Sequence, residues 1–366
     1  MNKKIIFVNA TSATIGGSLT ILNQFVEHIC KLKDITKLYY IFVPIDCKLT
    51  STEYFYIVPM KAKKYRDRIK WDLFGMKKWS QENSIFPDII ISLQNTAVRF
   101  KNAKQIIYLH QSIPYSKNAD FSILKKDEIK LWFYKYIYKI WIDVSIKKDH
   151  YIVVQTNWMK QALIEDGYKE DKIVISKPNI KNIDIDKIDF CHNLQKGKKY
   201  LFYPAMYYKY KNHNVILKAL IKIREENAEL LKDIKVLFTL DKSVKLYQDV
   251  VDNNLQDNII FLGRLEYEEV LKYYKSCDVL LFPSYIETLG LPLLEACAFN
   301  KYIIVSDCQY SREILNNYDL VEYVEYDNPV QWANSIIKCK KISEKNIGMN
   351  LNFNCWSNMF NLIDSI

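Results

Sequence analysis

Apolar residues in this chain gather into short unbroken runs, set apart by longer stretches with helical spacing. KKIIFVNA opens the series, and YYIFVP, DIIISL, KQIIYLH and HYIVVQT continue it. A run that is apolar at every position, not at every second one, reads as a strand buried on both faces. After the first run, TSATIGGSLTILNQFVEHI places Leu19, Leu22, Phe25, Val26 and Ile29 along one side of a helix. Strands alternating with helices predict a parallel sheet covered on both faces, a doubly wound α/β domain.

The pattern breaks at residues 177 to 200, KPNIKNIDIDKIDFCHNLQKGKKY, which are polar, charged and aperiodic. A second series follows: YLFYPA, IKVLFTL, NIIFLG, DVLLFPS and YIIVSD, again with helical stretches between. At 366 residues the chain is long for one core, so two domains are expected. The boundaries read as a first Rossmann-like domain over 1–178, a linker over 179–197, and a second domain over 198–348. A closing helix over 349–366 is expected to pack back on the first domain.

Composition narrows the partners. Hydrophobic residues at 49% are enough for two cores, and Lys+Arg of 52 against Asp+Glu of 42 leaves a net charge of +10. That balance favours anionic partners: nucleic acid, acidic lipid or a phosphorylated small molecule. The positive charge is spread along the chain and no nucleic-acid-binding module stands out, so nucleic acid is not the expected partner. The eight cysteines form no CxxC pair, which predicts reduced thiols and no zinc site. The apolar centre IIFV near the start is too short for a signal peptide, and no run approaches a spanning helix, so a cytoplasmic protein is expected. Two stretches, 60–79 and 126–149, mix lysine and arginine with aromatics. They read either as segments lying on an anionic membrane surface or as core helices whose lysines reach outward.

The chemistry concentrates in PSYIETLGLPLLEACAFN, where Glu287 and Glu295 flank a Gly-Leu-Pro turn. A strand leads into this turn and a helix leaves it near Leu291, so free N–H groups and a positive dipole end lie beside the strand's carboxyl edge. An anion is favoured there, while carboxylates accept hydrogen bonds from neutral hydroxyls. Together they suit a diphosphate flanked by two sugars, a nucleotide sugar. A plainer reading is also open on the pair alone: Glu295 complements the helix dipole and Glu287 is a solvated loop residue.

The longer segment FLGRLEYEEVLKYYKSCDVLLFPSYIETLGLPLLEACAFNKYIIVSD resembles the signature of retaining GT-B glycosyltransferases, the large group 1 family (glycosyltransferase family 4). The family's two glutamates, seven residues apart, fall on Glu287 and Glu295. Gly263, Cys277-Asp278, Pro283-Ser284, the Gly-Leu-Pro at 290–292 and Glu295-Ala296 keep the family's order. TIGGS matches its amino-terminal glycine loop, IIYLHQ its segment ending in His110, and YKYKNHN its Lys-Asn at Lys211-Asn212. Two departures stand out: Ala205 where an arginine is usual, with Lys209 as a substitute phosphate cation, and Asn300 where a glycine is common.

The resemblance implies a GT-B architecture, two Rossmann-like domains facing a cleft, and transfer of a sugar from a nucleoside diphosphate to an acceptor hydroxyl with retention. It assigns Glu287, His110 and Lys211 to catalysis. Lys211 would neutralise the diphosphate, Glu287 would bind donor-sugar hydroxyls, and His110 would orient the sugar. Donor binding falls to Gly16, Gly17, Gly263, Arg264, Thr288, Leu289, Gly290, Leu291 and Glu295, the last on the ribose. No metal or other cofactor is expected; the lone Asp-x-Asp, Asp184-Ile185-Asp186, sits in the charged linker. Expected partners are a nucleotide-sugar donor and a glycan or polyprenyl-linked acceptor, in surface polysaccharide synthesis. A nucleotide-sugar epimerase or other GT-B enzyme, a catalytically dead sugar-nucleotide sensor and a non-enzymatic basic nucleic-acid-binding protein are the alternatives.

Overall fold

In a computed structural model that describes residues 3–14, 16–61, 65–178, 183–339 and 356–366, the chain divides into two compact units. The first holds the described residues of 1–116, 121–179 and 353–366; the second holds those of 117–120 and 180–352.

The first unit is built on β1 (Lys4–Asn9), β2 (Lys37–Pro44), β3 (Phe55–Met60), β4 (Ile89–Ser92), β5 (Lys104–Tyr108), β6 (Tyr151–Val154) and β7 (Ile173–Ile175). All pair in parallel, in the order β3-β2-β1-β4-β5-β6-β7. The second unit carries β8 (Lys199–Tyr203), β9 (Ile234–Phe238), β10 (Ile259–Phe261), β11 (Val279–Phe282), β12 (Tyr302–Ser306) and β13 (Val321–Val324). Their order is β10-β9-β8-β11-β12-β13, again parallel. These are the two doubly wound α/β units that the apolar runs predict. The runs are unbroken because both faces are covered: Ile6, Phe7 and Val8 of β1 and Leu280, Leu281 and Phe282 of β11 are all sealed from solvent.

Each sheet grows outward in both directions from its first strand, so each has a point where the strand order reverses. In the first sheet it lies between β1 and β4, in the second between β8 and β11. Ligands of open α/β sheets bind beside the carboxyl ends of the strands at such points.

The helix Ser357–Ser365 belongs to the core of the first unit. Trp356 stacks on Tyr108 at 5.4 Å and Phe360 on Phe25 at 5.3 Å, while the Lys4 ammonium donates to the Ile366 carbonyl at 2.8 Å. The part of the expected closing helix before residue 356 lies outside the described residues. Of the charged stretch 179–197, residues 183–197 are described and pack on the second unit: Lys275 Nζ donates to the carbonyls of Ile185 and Ile188, and Ser276 Oγ accepts from the Cys191 N–H. Asp184 of the Asp-x-Asp triplet pairs with Lys187 at 2.7 Å.

Candidate functional site

The switch point of the second unit gathers most of the residues singled out in the sequence. After β8 the chain loops to a single tight turn, Lys209–Lys211, and Asn212, at φ 58°, starts the helix His213–Asn227. After β11 it runs through Pro283–Gly290 into the helix Leu291–Ala298. The two loops are tied together. Tyr203 Oη donates to the Lys211 carbonyl at 2.7 Å, and the Tyr210 carbonyl accepts from the Tyr285 N–H at 3.0 Å and from Ser284 Oγ at 3.2 Å. Asn212 Nδ2 donates to the Tyr326 carbonyl at 2.6 Å. Asp278 of the Cys-Asp motif accepts from the Tyr200 N–H at 2.8 Å and so fixes where β11 starts beside β8.

Those ties set Lys211 against Glu287: the ammonium donates directly to Oε1 of the carboxylate. Their side chains are 17% and 14% exposed, so the pair is shielded from water on most sides yet reachable. The ammonium also lies 5.6 Å from the Tyr210 ring and 5.9 Å from the Phe282 ring, which add cation–π attraction. An ammonium carries three donors, so after Glu287 takes one, the rest can meet an anion.

The helix start beside this pair is built on Gly290, whose φ of 75° and ψ of 61° suit glycine. A Cβ there would stand 3.3 Å from Leu293 Cδ1. No side chain caps the helix. Pro292 brings no N–H and the Leu293 N–H is bonded to the Gly290 carbonyl at 2.9 Å, so this end offers an anion fewer donors than a helix start usually does. Leu289 is buried and offers only backbone, while Thr288 is partly exposed. Glu295, in the middle of the helix, accepts from Tyr267 Oη at 3.2 Å. Gly263, at φ 75°, donates its N–H to the Leu240 carbonyl at 3.0 Å. A Cβ on it would stand 3.5 Å from Asp241 Oδ1. Arg264 and Lys209 are exposed. Asn300 takes φ 53° just past the helix, a left-handed position that asparagine tolerates nearly as well as the usual glycine.

In the first unit, Gly16 caps the helix Gly17–Leu32 at φ 63°, and space is open around the Cβ positions of both Gly16 and Gly17. His110 follows β5, with its backbone N–H and that of Gln111 both donating to Asn95 Oδ1 at 2.8 and 3.0 Å. Burial of the ring pushes the imidazole down to about 4, so it is neutral at neutral pH.

The sequence reading passed over Asp72. It lies in a π-helical turn, Trp71–Gly75, and is buried. Its Oδ1 accepts from Asn9 Nδ2 at 2.8 Å and Gln94 Nε2 at 2.9 Å, and its Oδ2 from Thr96 Oγ1 at 3.0 Å. Burial outweighs these bonds and raises the carboxyl to about 7. It borders a cavity of about 140 Å³. A single acid inside the apolar stretch KWDLFGM was the available signal. Tyr267, the partner of Glu295, left none.

The basic-aromatic stretches behave differently from one another. In 60–79, Trp71 and Trp79 pack on Phe42 with centroids at 5.1 and 4.9 Å, inside the core. In 126–149, Lys135 donates to the Ser116 carbonyl and Lys139 pairs with Asp143 and Asp166. The outer face of that segment instead exposes Ile129, Tyr136, Ile137, Ile140 and Val144, with Ile123 and Leu124 just before it. No helix among the described residues is long and apolar enough to cross a membrane.

The family model for Glycosyl transferases group 1 matches residues 184–350. The chain is 26% identical over 253 residues to the O-antigen chain mannosyltransferase RfbU of Salmonella typhimurium, covering 68% of each chain. It is 28% identical over 191 residues to the N,N'-diacetylbacillosaminyl-diphospho-undecaprenol alpha-1,3-N-acetylgalactosaminyltransferase of Campylobacter jejuni, 48% of this chain and 46% of that one. Among solved structures, the sucrose-phosphate synthase of Thermosynechococcus elongatus superposes with a TM-score of 0.69 at 14% identity, over 92% of this chain and 89% of that one. The chain therefore has the GT-B fold, and residues 184–350 of its second unit match the model for Glycosyl transferases group 1.

Proposed function

We propose that this protein is a retaining, metal-independent hexosyltransferase. In this reading it moves a sugar from a nucleoside diphosphate to a hydroxyl of a glycan or polyprenyl-linked acceptor, in the synthesis of a bacterial surface polysaccharide such as O-antigen. The observation that carries the reading is the shielded Lys211–Glu287 pair at the switch point of the second sheet. A diphosphate leaving group gains charge as the sugar departs, and a fixed cation aimed at it lowers the barrier. Lys211 supplies that cation, and Glu287 holds it in place while accepting hydrogen bonds from hydroxyls of the donor sugar. Glu295, steadied by the Tyr267 hydroxyl, accepts from the donor ribose, and the backbone at Gly263–Arg264 meets the base. A fixed ammonium beside the phosphates makes a bound divalent ion unnecessary. The mannosyltransferase and undecaprenol-linked relatives support the acceptor class.

A lipid-linked acceptor calls for a membrane surface. Ile137, Ile140 and Val144 follow one another at three and four residues on the outer face of 129–145, with Tyr136 beside them and Ile129 two turns earlier, and Val144 is 75% exposed. Lys125, Lys126, Lys130, Lys147 and Lys148 flank them. An apolar stripe edged by lysines fits an anionic bilayer interface.

The test is turnover and thermal shift with UDP-, GDP- and ADP-sugars, with and without EDTA, on wild type and Glu287→Ala. One nucleotide series should stabilise the wild type, and product anomers should keep the donor's configuration whether or not EDTA is present. Unchanged turnover in Glu287→Ala refutes the role given to that residue. Flotation with anionic vesicles should carry the wild type and lose the double variant Ile140→Asp, Val144→Asp; no flotation of the wild type removes the membrane part.

A further inference from the structure

Lys211 and Glu287 stand on different loops, so their pairing is only as fixed as those loops are. Besides the direct ties between the two loops, a longer path joins them through two residues outside the pair. It starts at Asn212, next to Lys211, whose Nδ2 donates to the Tyr326 carbonyl at 2.6 Å. Tyr326 lies just past the carboxyl end of β13, and its hydroxyl donates to the Asn118 carbonyl at 2.9 Å. The Asn118 amide in turn donates to the Tyr285 carbonyl at 2.9 Å and to Cys308 Sγ at 3.3 Å. Tyr285 precedes Glu287 by two residues, and Glu287 accepts from Lys211. The path closes on itself, from one ion of the pair round to the other.

Its parts are suited to holding still. Asn118 belongs to residues 117–120 of the second unit. Both hydrogens of its amide are engaged, so its side chain cannot turn without losing a bond on the Glu287 side. The Tyr326 and Tyr285 rings lie with centroids 5.0 Å apart at 35°, which limits where the Tyr326 hydroxyl can point. Tyr285 and Cys308 are buried, so water does not readily replace their bonds. Asn212 sits at φ 58°, a sparsely populated conformation that persists only where its surroundings hold it.

The pair needs such a hold. A diphosphate arriving beside Lys211 competes with Glu287 for the hydrogens of the ammonium. A carboxylate fixed only by its partner ion would shift once that partner is shared. One fixed through its own backbone keeps its place, and groups already in place are what lower the barrier.

We infer that Asn118 and Tyr326 are positioning residues, which keep Glu287 aimed at the donor sugar while Lys211 turns to the diphosphate. The inference rests on the roles proposed above for that pair. The Tyr326 hydroxyl serves the Glu287 arm alone, because the Lys211 arm is held by the Tyr326 backbone carbonyl.

The experiment titrates UDP-, GDP- and ADP-sugars, and UDP, GDP and ADP alone, into the full chain by calorimetry, with the melting temperature recorded on each sample. Wild type is compared with Asn118→Ala, Tyr326→Phe, Glu287→Ala and the two double variants that include Glu287→Ala. With the nucleotide that the wild type prefers, Asn118→Ala and Tyr326→Phe should each weaken the nucleotide sugar about three- to tenfold, the loss of a neutral hydrogen bond. The bare diphosphate should stay within about twofold of wild type, a change worth less than one hydrogen bond. Tyr326→Phe keeps its ring against Tyr285, so its melting temperature should match the wild type, and it carries the test alone if Asn118→Ala does not fold. Once Glu287 is alanine, neither substitution should weaken the nucleotide sugar by more than about twofold further, since groups acting through one carboxylate are not additive. Additive losses, equal weakening of nucleotide sugar and bare diphosphate, or unchanged binding in both single variants would overturn the inference and leave the transferase reading standing. A wild type that binds none of these ligands overturns that reading, and the inference with it.

Discussion

The two switch points occupy equivalent places in two similar sheets, yet they are made of opposite materials. In the second unit a lysine and a glutamate meet as ions, held by backbone ties between two short loops. In the first, a single acid is buried among amides and a hydroxyl, at a cavity that Arg68, Tyr134, Tyr138 and Trp141 also line. A charged pair that keeps some access to water can exchange one anion for another, as a diphosphate would require. A buried acid raised to about 7 by desolvation carries less charge at neutral pH than an ordinary carboxylate. The same fold position thus carries an ion pair on one sheet and a buried acid on the other, and it is the loops, not the strands, that make the difference.

The largest effect should come from cutting the charged pair. Lys211→Met removes the cation that the proposed mechanism aims at the leaving diphosphate, and kcat should fall by about a hundred- to a thousandfold, the usual loss of one preorganised donor to developing charge. Glu287 is then left partly buried without its partner, so thermal unfolding should be recorded on the same sample. A fold change below about tenfold with normal stability would mean the ammonium does not face the reaction.

Next comes pH, which separates the two switch points cleanly. Asp72 is raised from 3.8 to about 7 by burial, so the folded protein holds a proton that the unfolded chain has released. Between about pH 4 and pH 7 the unfolded state binds fewer protons, and stability falls as pH rises through that window. Tyr65 and Tyr138, which interact with the acid, are both raised by burial above the ordinary tyrosine value, so neither titrates there. The unfolding free energy of wild type relative to Asp72→Asn should therefore drop with pH, by at most about 1.4 kcal/mol per unit. Urea unfolding at several pH values checks it; a flat difference would show an acid that titrates normally.

How much of this contrast could be read from the chain follows the same line. The buried strands announce themselves because both faces are covered, and so does the Glu287–Glu295 signature, since its spacing around a turn is rigid. Three strands are silent, β3, β7 and β13, and each lies at a sheet edge. Edge strands need no continuous apolar run: β3 ends in Pro59-Met60 and β13 reads Val-Glu-Tyr-Val. Asp72 is silent for another reason. Its role depends on a π turn and on partners from β1 and the β4 loop, far away in sequence, so no local pattern marks it.

Two glycines probe the loops at more modest cost. A Cβ on Gly75 would stand 2.5 Å from Trp71 Cε3, so Gly75→Ala must push the buried indole and reshape the π turn that carries Asp72. Overpacking of this kind costs about 1–3 kcal/mol, read as a lower melting temperature with nucleotide binding unchanged. Gly290→Ala forces alanine to a positive φ against Leu293, costing about 1–2 kcal/mol, and should weaken nucleotide binding instead. If Gly75→Ala weakens nucleotide binding as much as Gly290→Ala does, the two switch points do not act separately.

The smallest expected effect concerns Tyr267, whose hydroxyl donates to Glu295 at 3.2 Å. Removing it in Tyr267→Phe takes one hydrogen bond from the carboxylate and leaves the rest of its surroundings in place. A neutral donor to a charged acceptor at the long end of the range contributes about 1 kcal/mol, so donor KM should rise about fivefold while kcat stays within a factor of about two. Glu295→Gln, which keeps the shape and loses the charge, should raise KM further by weakening the bond to the ribose. The order of the two matters more than either value: if Tyr267→Phe lowers kcat, Glu295 works on the reacting sugar, and the separation between a ribose-reading glutamate and a sugar-holding Glu287 has to be reversed.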